Sequence, residues 1–477
     1  MAKTYNILIV GAGTSGMACA ITAAERGLCV GVIEKSDIIG GALHWSGGHM
    51  SAGGTRLQKR KGIEDSEEKH LEDIYRINGK SGNLALTEIA VKEAPKTIDW
   101  LEDIGFEFAP ECPRIIYGHI AYETARTHYG TEKAMSIYKV LEPLWKKYER
   151  SGHIECHLNT KMSGLGRTGN RFDYVLCQNE RGTQEIHGKH IVLTTGGYGS
   201  NPEFFGKKHP GIPLVSSCYP TATADAHQIL EENGGVFHMG QYHLPSLGGI
   251  EKEVGDGLCN FNEAWAMVMT SVYRQPREIY VNANGHRFMA EDEPDAEARE
   301  HAVMQQPNWY FWAVFDETAR VRKDDNGNHN PVIIGWSNEA IAEEAERGQS
   351  LVKADTLEGL SEKINVPKET LTETVASYNT MVDKGEDPSF HRKYLKDSIS
   401  TGPFYALKIH ASVLVTFGGM KVNDKLQLVA QNGNVMEGLY AAGEIIGLGA
   451  TSGSSFCSGM AITPALSFGR ILGRSLS

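Results

Sequence analysis

Apolar positions fall in two kinds of block along this chain. Residues 5–10, interrupted only by Asn6, and 29–33 are apolar runs of strand length, the pattern of strands covered on both faces. Between them Met17, Ala20, Ile21 and Ala24 recur at helical spacing, and the pattern stops at Gly27. The stretch therefore predicts strand, helix, strand. Ile89, Val91, Ile98 and Leu101 predict a helix over 87–104, and Ala134, Ile137, Val140, Leu141 and Leu144 another over 131–150. Residues 154–158, 174–178 and 191–194 read as strands, 337–346 and 369–383 as amphipathic helices, 324–329 as a turn, and 461–472 as a last helix. Residues 220–226 open a further helix, with Thr223 placed to cap it and Asp225 suited to its positive first turn.

Glycine punctuates this pattern where strands end. Gly11-Ala12-Gly13-Thr14-Ser15-Gly16 lies between the first strand and its helix. Glu34 closes the second strand near the offset of about 20 residues at which an acid accompanies such a turn. Each position has a mechanical reason. Gly11 turns the chain, Gly13 lets backbone approach a pyrophosphate, and Gly16 lets helix and strand pack closely. The free N–H groups at Thr14 and Ser15 favour phosphate. Glu34, with Lys35 beside it, is placed to hold an adenosine ribose. A second glycine block spans 40–54 and includes Gly41, Ala42, Trp45, Ser46, Gly47 and Gly48. Others follow at Thr195-Gly196, at Gly443-Glu444, and over 447–460, which carries Ser455, Ser458 and Gly459 ahead of Ile462. Such blocks predict backbone pressed against a cofactor. From about 239 to 410 they thin out and charged amphipathic segments take over. The expected organisation is 1–238 and 411–477 as one dinucleotide-binding domain, with 239–410 inserted.

Composition narrows the partners. The 477 residues carry a formal charge of −12 and 41% hydrophobic content, so nucleic acid and anionic membranes are not the expected partners. No apolar run reaches the roughly 18 residues of a membrane span. The first strand begins within five residues of the start, which leaves no room for a signal peptide and points to the cytoplasm. None of the eight cysteines forms C-x-x-C, so zinc, dithiol and haem-attachment readings lack their spacing and no metal is expected. The segment 113–130 packs three tyrosines, two histidines and two arginines into one loop, and a loop held by a rigid scaffold is a usual place for function.

The two ends of the chain together resemble the FAD-binding domain of the fumarate reductase/succinate dehydrogenase flavoprotein superfamily. That superfamily also contains 3-ketosteroid dehydrogenases and 4-oxocyclohexanecarboxylate-type cyclic-ketone dehydrogenases. The matching motifs are GAGTSG with Glu34, the GG…GGHMSAGGT run, TTGGYGSN, TATADA, NANGHRFMAEDE, TFGGMKVN and GLYAAGE. The resemblance implies an α/β fold: a Rossmann-like, GR2-type FAD-binding domain with an inserted α+β capping domain that closes the active site. It implies that Ser46, Gly47 and Gly48 lie beside the flavin and pyrophosphate, Asp225 near the flavin tail, and Glu444 on the ribityl hydroxyls. Members that bind flavin covalently use a histidine where this chain has Ala42, so dissociable FAD is expected, with His44 the one exception to check.

The departures from the family pattern point to the substrate. Where fumarate reductases place a histidine and an arginine on their dicarboxylate, this chain has Val415 and Phe456. The run after Gly285-His286-Arg287-Phe288 is acidic, and Arg299 comes late. Unpaired substrate carboxylates in a closed site cost several kcal/mol each, which disfavours fumarate. Residues 462–469 are similar to the ketosteroid dehydrogenase ending, and that likeness puts Ser455 and Gly459 on a substrate carbonyl. The expected reaction is therefore α,β-dehydrogenation of a cyclic ketone by FAD. The base is expected in the 113–130 loop: Tyr117 first, then Tyr122, His128 or Tyr129, with Arg114 or Arg126 lowering a tyrosine's pKa. Tyr242 and His243 lie near where the family places an active-site histidine. Electrons would pass to a soluble acceptor or oxygen. The alternatives are the reverse reaction, as an ene reductase, and a flavoprotein relay with no substrate of its own.

Overall fold

Strand β1 (Thr4–Val10) forms the centre of the main sheet in the computed structural model, which describes residues 3–251, 253–259, 274–323, 326–328, 330–333 and 335–477. It pairs in parallel with β2 (Val30–Ile33) on one side and with Gly182–Leu193 on the other. Ile154–His157 continues the sheet beyond β2, and Val435–Ala441 continues it beyond Gly182–Leu193, both in parallel. Gln427–Val429 closes one edge antiparallel. Parallel strands covered on both faces need apolar side chains on both, which is why residues 5–10 and 29–33 show no alternation; Ile7, Leu8, Ile9, Val30 and Val32 are fully buried.

The helix α1 (Thr14–Glu25) links β1 to β2 and packs along the last helix, Ile462–Ser475. Their backbones meet closely because the last helix turns glycines toward α1. A Cβ at Gly469 would stand 2.3 Å from the Ser15 carbonyl oxygen, and one at Gly473 2.7 Å from that of Cys19. The C-terminal residues thus complete the layer over the first strand.

A second sheet is antiparallel, with strands in the order Ser246–Gly249, Phe404–Ser412, Tyr310–Asp316, Ile279–Val281; Leu351–Ala354 also pairs with Phe404–Ser412. Buried ion pairs brace it: Arg287 bonds Glu291 at 2.7 Å and Asp387 at 3.0 Å, and Arg392 bonds Glu291 at 3.0 Å. The acidic run after Phe288 is in part this scaffold, since Asp292 also accepts the backbone N–H groups of Lys393 and Tyr394. The helix Ala296–Met304 follows, capped by the Asp295 carboxylate on the N–H groups of Glu297 and Ala298.

Several elements differ from the hydrophobic pattern. The strand expected at 191–194 begins at Gly182, because its polar first half pairs with Arg171–Asn179, which pairs in turn with Lys161–Thr168. Ladder pairing, not burial, holds that half. Thr223 is not the cap of Asp225–Glu232; Ala224, at φ 64°, takes that position and the Thr223 hydroxyl turns to Lys35 and Asp225. The expected turn at 324–329 falls partly outside the described residues. Among the described residues no helix is long and apolar enough to cross a membrane, and no group of three or more His, Cys, Asp or Glu is placed to hold a metal.

Candidate functional site

One cavity of about 750 Å³ runs from the end of β2 to the start of the last helix, a size suited to a cofactor and a small ligand. Its floor is the glycine turn after β1. Gly11 has φ +101°, where a Cβ would lie 2.5 Å from the Thr194 carbonyl oxygen, and a Cβ at Gly16 would lie 2.0 Å from that of Gly11. Only glycine lets the chain turn here so tightly that the start of α1 opens into the cavity. That start has Gly13 as its N-cap with no side-chain bond, which leaves its first N–H groups for an anion.

Gly11, Gly13, Thr14, Ser15, Glu34, Lys35, Gly41, Ala42, Trp45, Ser46, Gly47, Gly48, Thr195, Gly196, Asp225, Gly443, Glu444, Ser458 and Ile462 all line this cavity. Gly16 lies beneath it as a packing position. Glu34 is locked by its own backbone surroundings: its oxygens accept the N–H groups of Ala12 at 2.7 Å and Ser36 at 2.8 Å. Glu444 accepts the Thr416 N–H and hydroxyl, each at 2.8 Å, and burial raises its pKa against those donors. Asp225, expected near the flavin tail, lines the cavity. It pairs with Lys35 at 2.8 Å and Lys161 at 2.9 Å at the Glu34 end. Burial pushes its pKa up, but the two lysines outweigh that and hold it below the usual value. His44 does not line the cavity; its ring bonds the Ile39 carbonyl at 2.8 Å and packs on Tyr138.

The residues fit FAD. Ser15 Oγ and Thr195 Oγ1 are buried, line the cavity and have no hydrogen-bond partner in the protein. Buried hydroxyls without partners are costly, and a nucleotide's phosphate and hydroxyl oxygens answer that need.

At the other end stand Ile116, His119, Leu414, Val415, Leu448 and Phe456. The His119 ring stacks on Phe456 with centroids 4.6 Å apart, and Phe417 meets Phe456 edge-on at 5.2 Å. Val415 and Phe456, the positions where the family pattern has cations, therefore do face the cavity. Lys35 and Lys161 are tied to Asp225 at the far end. Arg114 lies over the Tyr129 ring, and exposed Glu111 and Lys133 stand on the same wall. Burial, then Arg114, lowers His49 to about 4; burial, then His49 and Arg299, does the same to His119.

The proposed bases are corrected by where the loop points them. Tyr117 is 41% exposed and faces away from the cavity that its neighbours Ile116 and Gly118 line. Tyr122 is buried behind the wall and donates to the Ser458 carbonyl at 2.7 Å. His128 is buried between the Thr55 hydroxyl at 3.1 Å and the Arg126 carbonyl at 2.8 Å. Arg126 is fully buried in ion pairs with Asp65 at 2.8 Å and Asp73 at 2.7 Å. It anchors the loop and does not touch the cavity. Tyr129 does line it, but its hydroxyl donates to Glu111 at 2.7 Å and burial raises its pKa. Ser455 is buried, with its hydroxyl 3.4 Å from Glu297, outside the lining. Gly459 is in the lining, at φ +75°, with Ser51 N 2.3 Å from where its Cβ would be. Its N–H has no acceptor among the described residues. Tyr242 and His243 do not line the cavity; Tyr242 donates to the Ser81 carbonyl and His243 stacks on Trp309. Cys457 is in the lining, its thiol pushed up to about 12 by burial.

Sequence reasoning passed over His119, although it lies in the loop singled out. Its signal was position: it follows Gly118, a small residue that lets the loop run close to the cavity.

The FAD binding domain family matches this chain over residues 6–459. A fumarate reductase (cytochrome) of Shewanella frigidimarina is 28% identical over 475 residues, covering 98% of this chain and 76% of its own. A 3-oxosteroid 1-dehydrogenase of Mycolicibacterium smegmatis is 25% identical over 569 residues, covering 98% of this chain and 96% of its own. The open conformation of a flavocytochrome c3 fumarate reductase superposes with a TM-score of 0.77 at 25% identity, over 99% of this chain and 78% of that one.

Proposed function

This chain belongs to the FAD binding domain family, in the group of FAD-dependent oxidoreductases acting on CH–CH bonds, and from that premise we propose that it reduces the C=C bond of an uncharged α,β-unsaturated carbonyl compound. The observation that carries this reading is the wall of Val415, Phe456, Leu448 and neutral His119 at the end of the cavity away from Glu34. Such a wall desolvates an apolar body and a neutral carbonyl at little cost, whereas a dicarboxylate there would meet Val415 and Phe456 where the family pattern has cations.

FAD, held non-covalently, supplies hydride exchange at the β carbon. Glu34 and the start of α1 hold its adenosine and phosphates, Ser15 and Thr195 donate to its oxygens, and Glu444 accepts from its ribityl hydroxyls. The protein then has two tasks on the substrate. The Gly459 N–H donates to the substrate carbonyl, where charge develops. The second sheet and its helices cap the site and exclude water, with their ordinary boundaries at 239 and 410.

Reduction is preferred to the expected ketone dehydrogenation because dehydrogenation needs a base at Cα. The tyrosines lining the cavity are Tyr129 and Tyr219. The first is engaged with Glu111, and burial raises the pKa of both. The likeness to a fumarate reductase points the same way; the likeness to a 3-oxosteroid 1-dehydrogenase keeps α,β-dehydrogenation of a cyclic ketone as the second reading.

The test is anaerobic mixing of chemically reduced holoprotein with a cyclic enone, with fumarate, and with the saturated ketone. Recovery of oxidised-flavin absorbance with the enone and not with fumarate is expected. Faster reoxidation by fumarate refutes the reading, and bleaching of oxidised enzyme by the saturated ketone establishes the second one.

A further inference from the structure

We propose that His119, backed by Glu300, is the proton donor to the α carbon in this reaction. The proposal rests on the reading of the cavity as an enone site and adds to it the source of the second hydrogen.

The geometry comes from two elements far apart in sequence. His119 enters from the 113–130 loop, held in place by Arg126 and by its stack on Phe456. Glu300 comes from the helix Ala296–Met304 of the second sheet's layer. His119 Nδ1 lies 4.0 Å from Glu300 Oε1. That nitrogen is buried and has no hydrogen-bond partner, while the Glu300 side chain is only 4% exposed and that of His119 is 19% exposed. A small ring rotation, or one bridging water, closes the gap to a hydrogen bond. Since His119 lines the cavity, the opposite ring nitrogen, Nε2, is the one we assign to the substrate. This arrangement puts a titratable ring between a sealed carboxyl group and the substrate.

The surroundings of both groups favour their neutral forms. Burial, opposed by Arg299 and helped by Glu297 and Asp295, raises the Glu300 pKa well above the usual carboxyl value, which favours the protonated carboxyl. Burial, with His49 and Arg299 adding to it, lowers His119 to about 4, so the ring is uncharged near neutral pH. A neutral pair suits delivery, not uptake. The hydride and its two electrons come from reduced FAD and go to Cβ. The Nε2–H bond breaks as the Cα–H bond forms, and Nδ1 takes the carboxyl proton, leaving Glu300 a carboxylate; once product leaves, Nε2 takes a proton from solvent through the cavity and Nδ1 returns its proton to Glu300. No imidazolium has to persist. Running in reverse from the same resting state, the ring would have to accept a proton while Glu300 is already full.

The test uses the FAD-loaded protein, with His119→Gln and Glu300→Gln variants. Reoxidation of reduced enzyme by a cyclic enone is expected to slow by about 10²–10⁴-fold in H119Q, the range for loss of a general acid. E300Q is expected to slow it less, to change the solvent deuterium isotope effect, and to abolish the fall in rate on the alkaline side, with FAD content and Tm kept. Infrared difference spectra give a readout that needs no substrate: a protonated-carboxyl band at neutral pH, absent in E300Q and displaced in H119Q. If that band is missing from wild type, or E300Q leaves the pH profile and isotope effect unchanged, the pair is overturned. If H119Q turns over as wild type, His119 is overturned. If the band behaves as expected but no enone reoxidises wild-type enzyme, the pair is supported and the enone reading falls by itself.

Discussion

Replacing Arg126 by methionine separates an anchoring role from the catalytic one expected of it. Its guanidinium bonds Asp65 through Nη2 at 2.8 Å and Nε at 3.0 Å, and Asp73 through Nη1 at 2.7 Å. The side chains of those acids are 0% and 4% exposed. Removing one partner of a buried ion pair costs about 3–5 kcal/mol. The acids are not wholly orphaned, since Asp65 keeps the Gln58 amide at 2.7 Å, and Asp73 keeps its ion pair with Arg76, donated by Nε at 3.1 Å, and the Glu123 N–H at 3.0 Å. The lower end applies, about 3 kcal/mol, or a fall of roughly 3 °C in apparent Tm for a chain of this size. The assay is thermal unfolding of apo- and holoprotein, with flavin content measured alongside. Adding Asp65→Asn to R126M removes the charge left without a cation, since Asp73 keeps Arg76, and should recover most of the loss. A stability within about 1 kcal/mol of wild type, with turnover lost, would refute this reasoning and restore Arg126 to the chemistry.

Gly13 has open space where its Cβ would be, whereas Gly11 has backbone 2.5 Å away; G13V should therefore keep the apoprotein's Tm and lose FAD, while G11V should lose both, as melting and the flavin-to-protein absorbance ratio will show. The double variant V415H/F456R should raise the rate at which fumarate reoxidises reduced enzyme and lower that of a cyclic enone, measured by stopped flow. Tyr117 faces solvent, so Y117F should leave turnover and Tm unchanged within about 0.5 kcal/mol. S15A/T195A should weaken FAD retention by roughly 1–3 kcal/mol, read as the dissociation constant for added FAD.

The cofactor half of the site was legible because its residues answer to backbone geometry. A glycine that must turn the chain, and an acid at a set offset, carry their reason in the residue type itself, so the positions from Gly11 to Glu34 and at Gly443-Glu444 came out on one cavity. The substrate half was not legible in the same way. In the 113–130 loop no period decides which side chain points inward: Ile116, Gly118 and His119 face the cavity while Tyr117 faces water. Composition singled out the loop but not which of its members face the cavity. Arg126 and His128 looked reactive because charge and imidazole suggest chemistry, yet each is consumed by partners that lie far away in sequence, at Asp65, Asp73 and Thr55. Glu300 was hidden for the same reason, since its meeting with His119 depends on how the second sheet sets the helix Ala296–Met304. The strand Lys161–Thr168 was missed because a hairpin at a sheet's rim needs no apolar face.

The seam between α1 and the last helix has a consequence for how the protein is made. A ribosome that has reached residue 440 has already produced every strand of the main sheet but the end of one, together with the phosphate-binding turn. It has not produced Gly443, Glu444, Ser458, Gly459 or Ile462, which wall off the remaining flank of the cavity, nor the glycines that let the closing helix settle on α1. The full set of residues lining the cofactor cavity thus exists only once translation has passed this point.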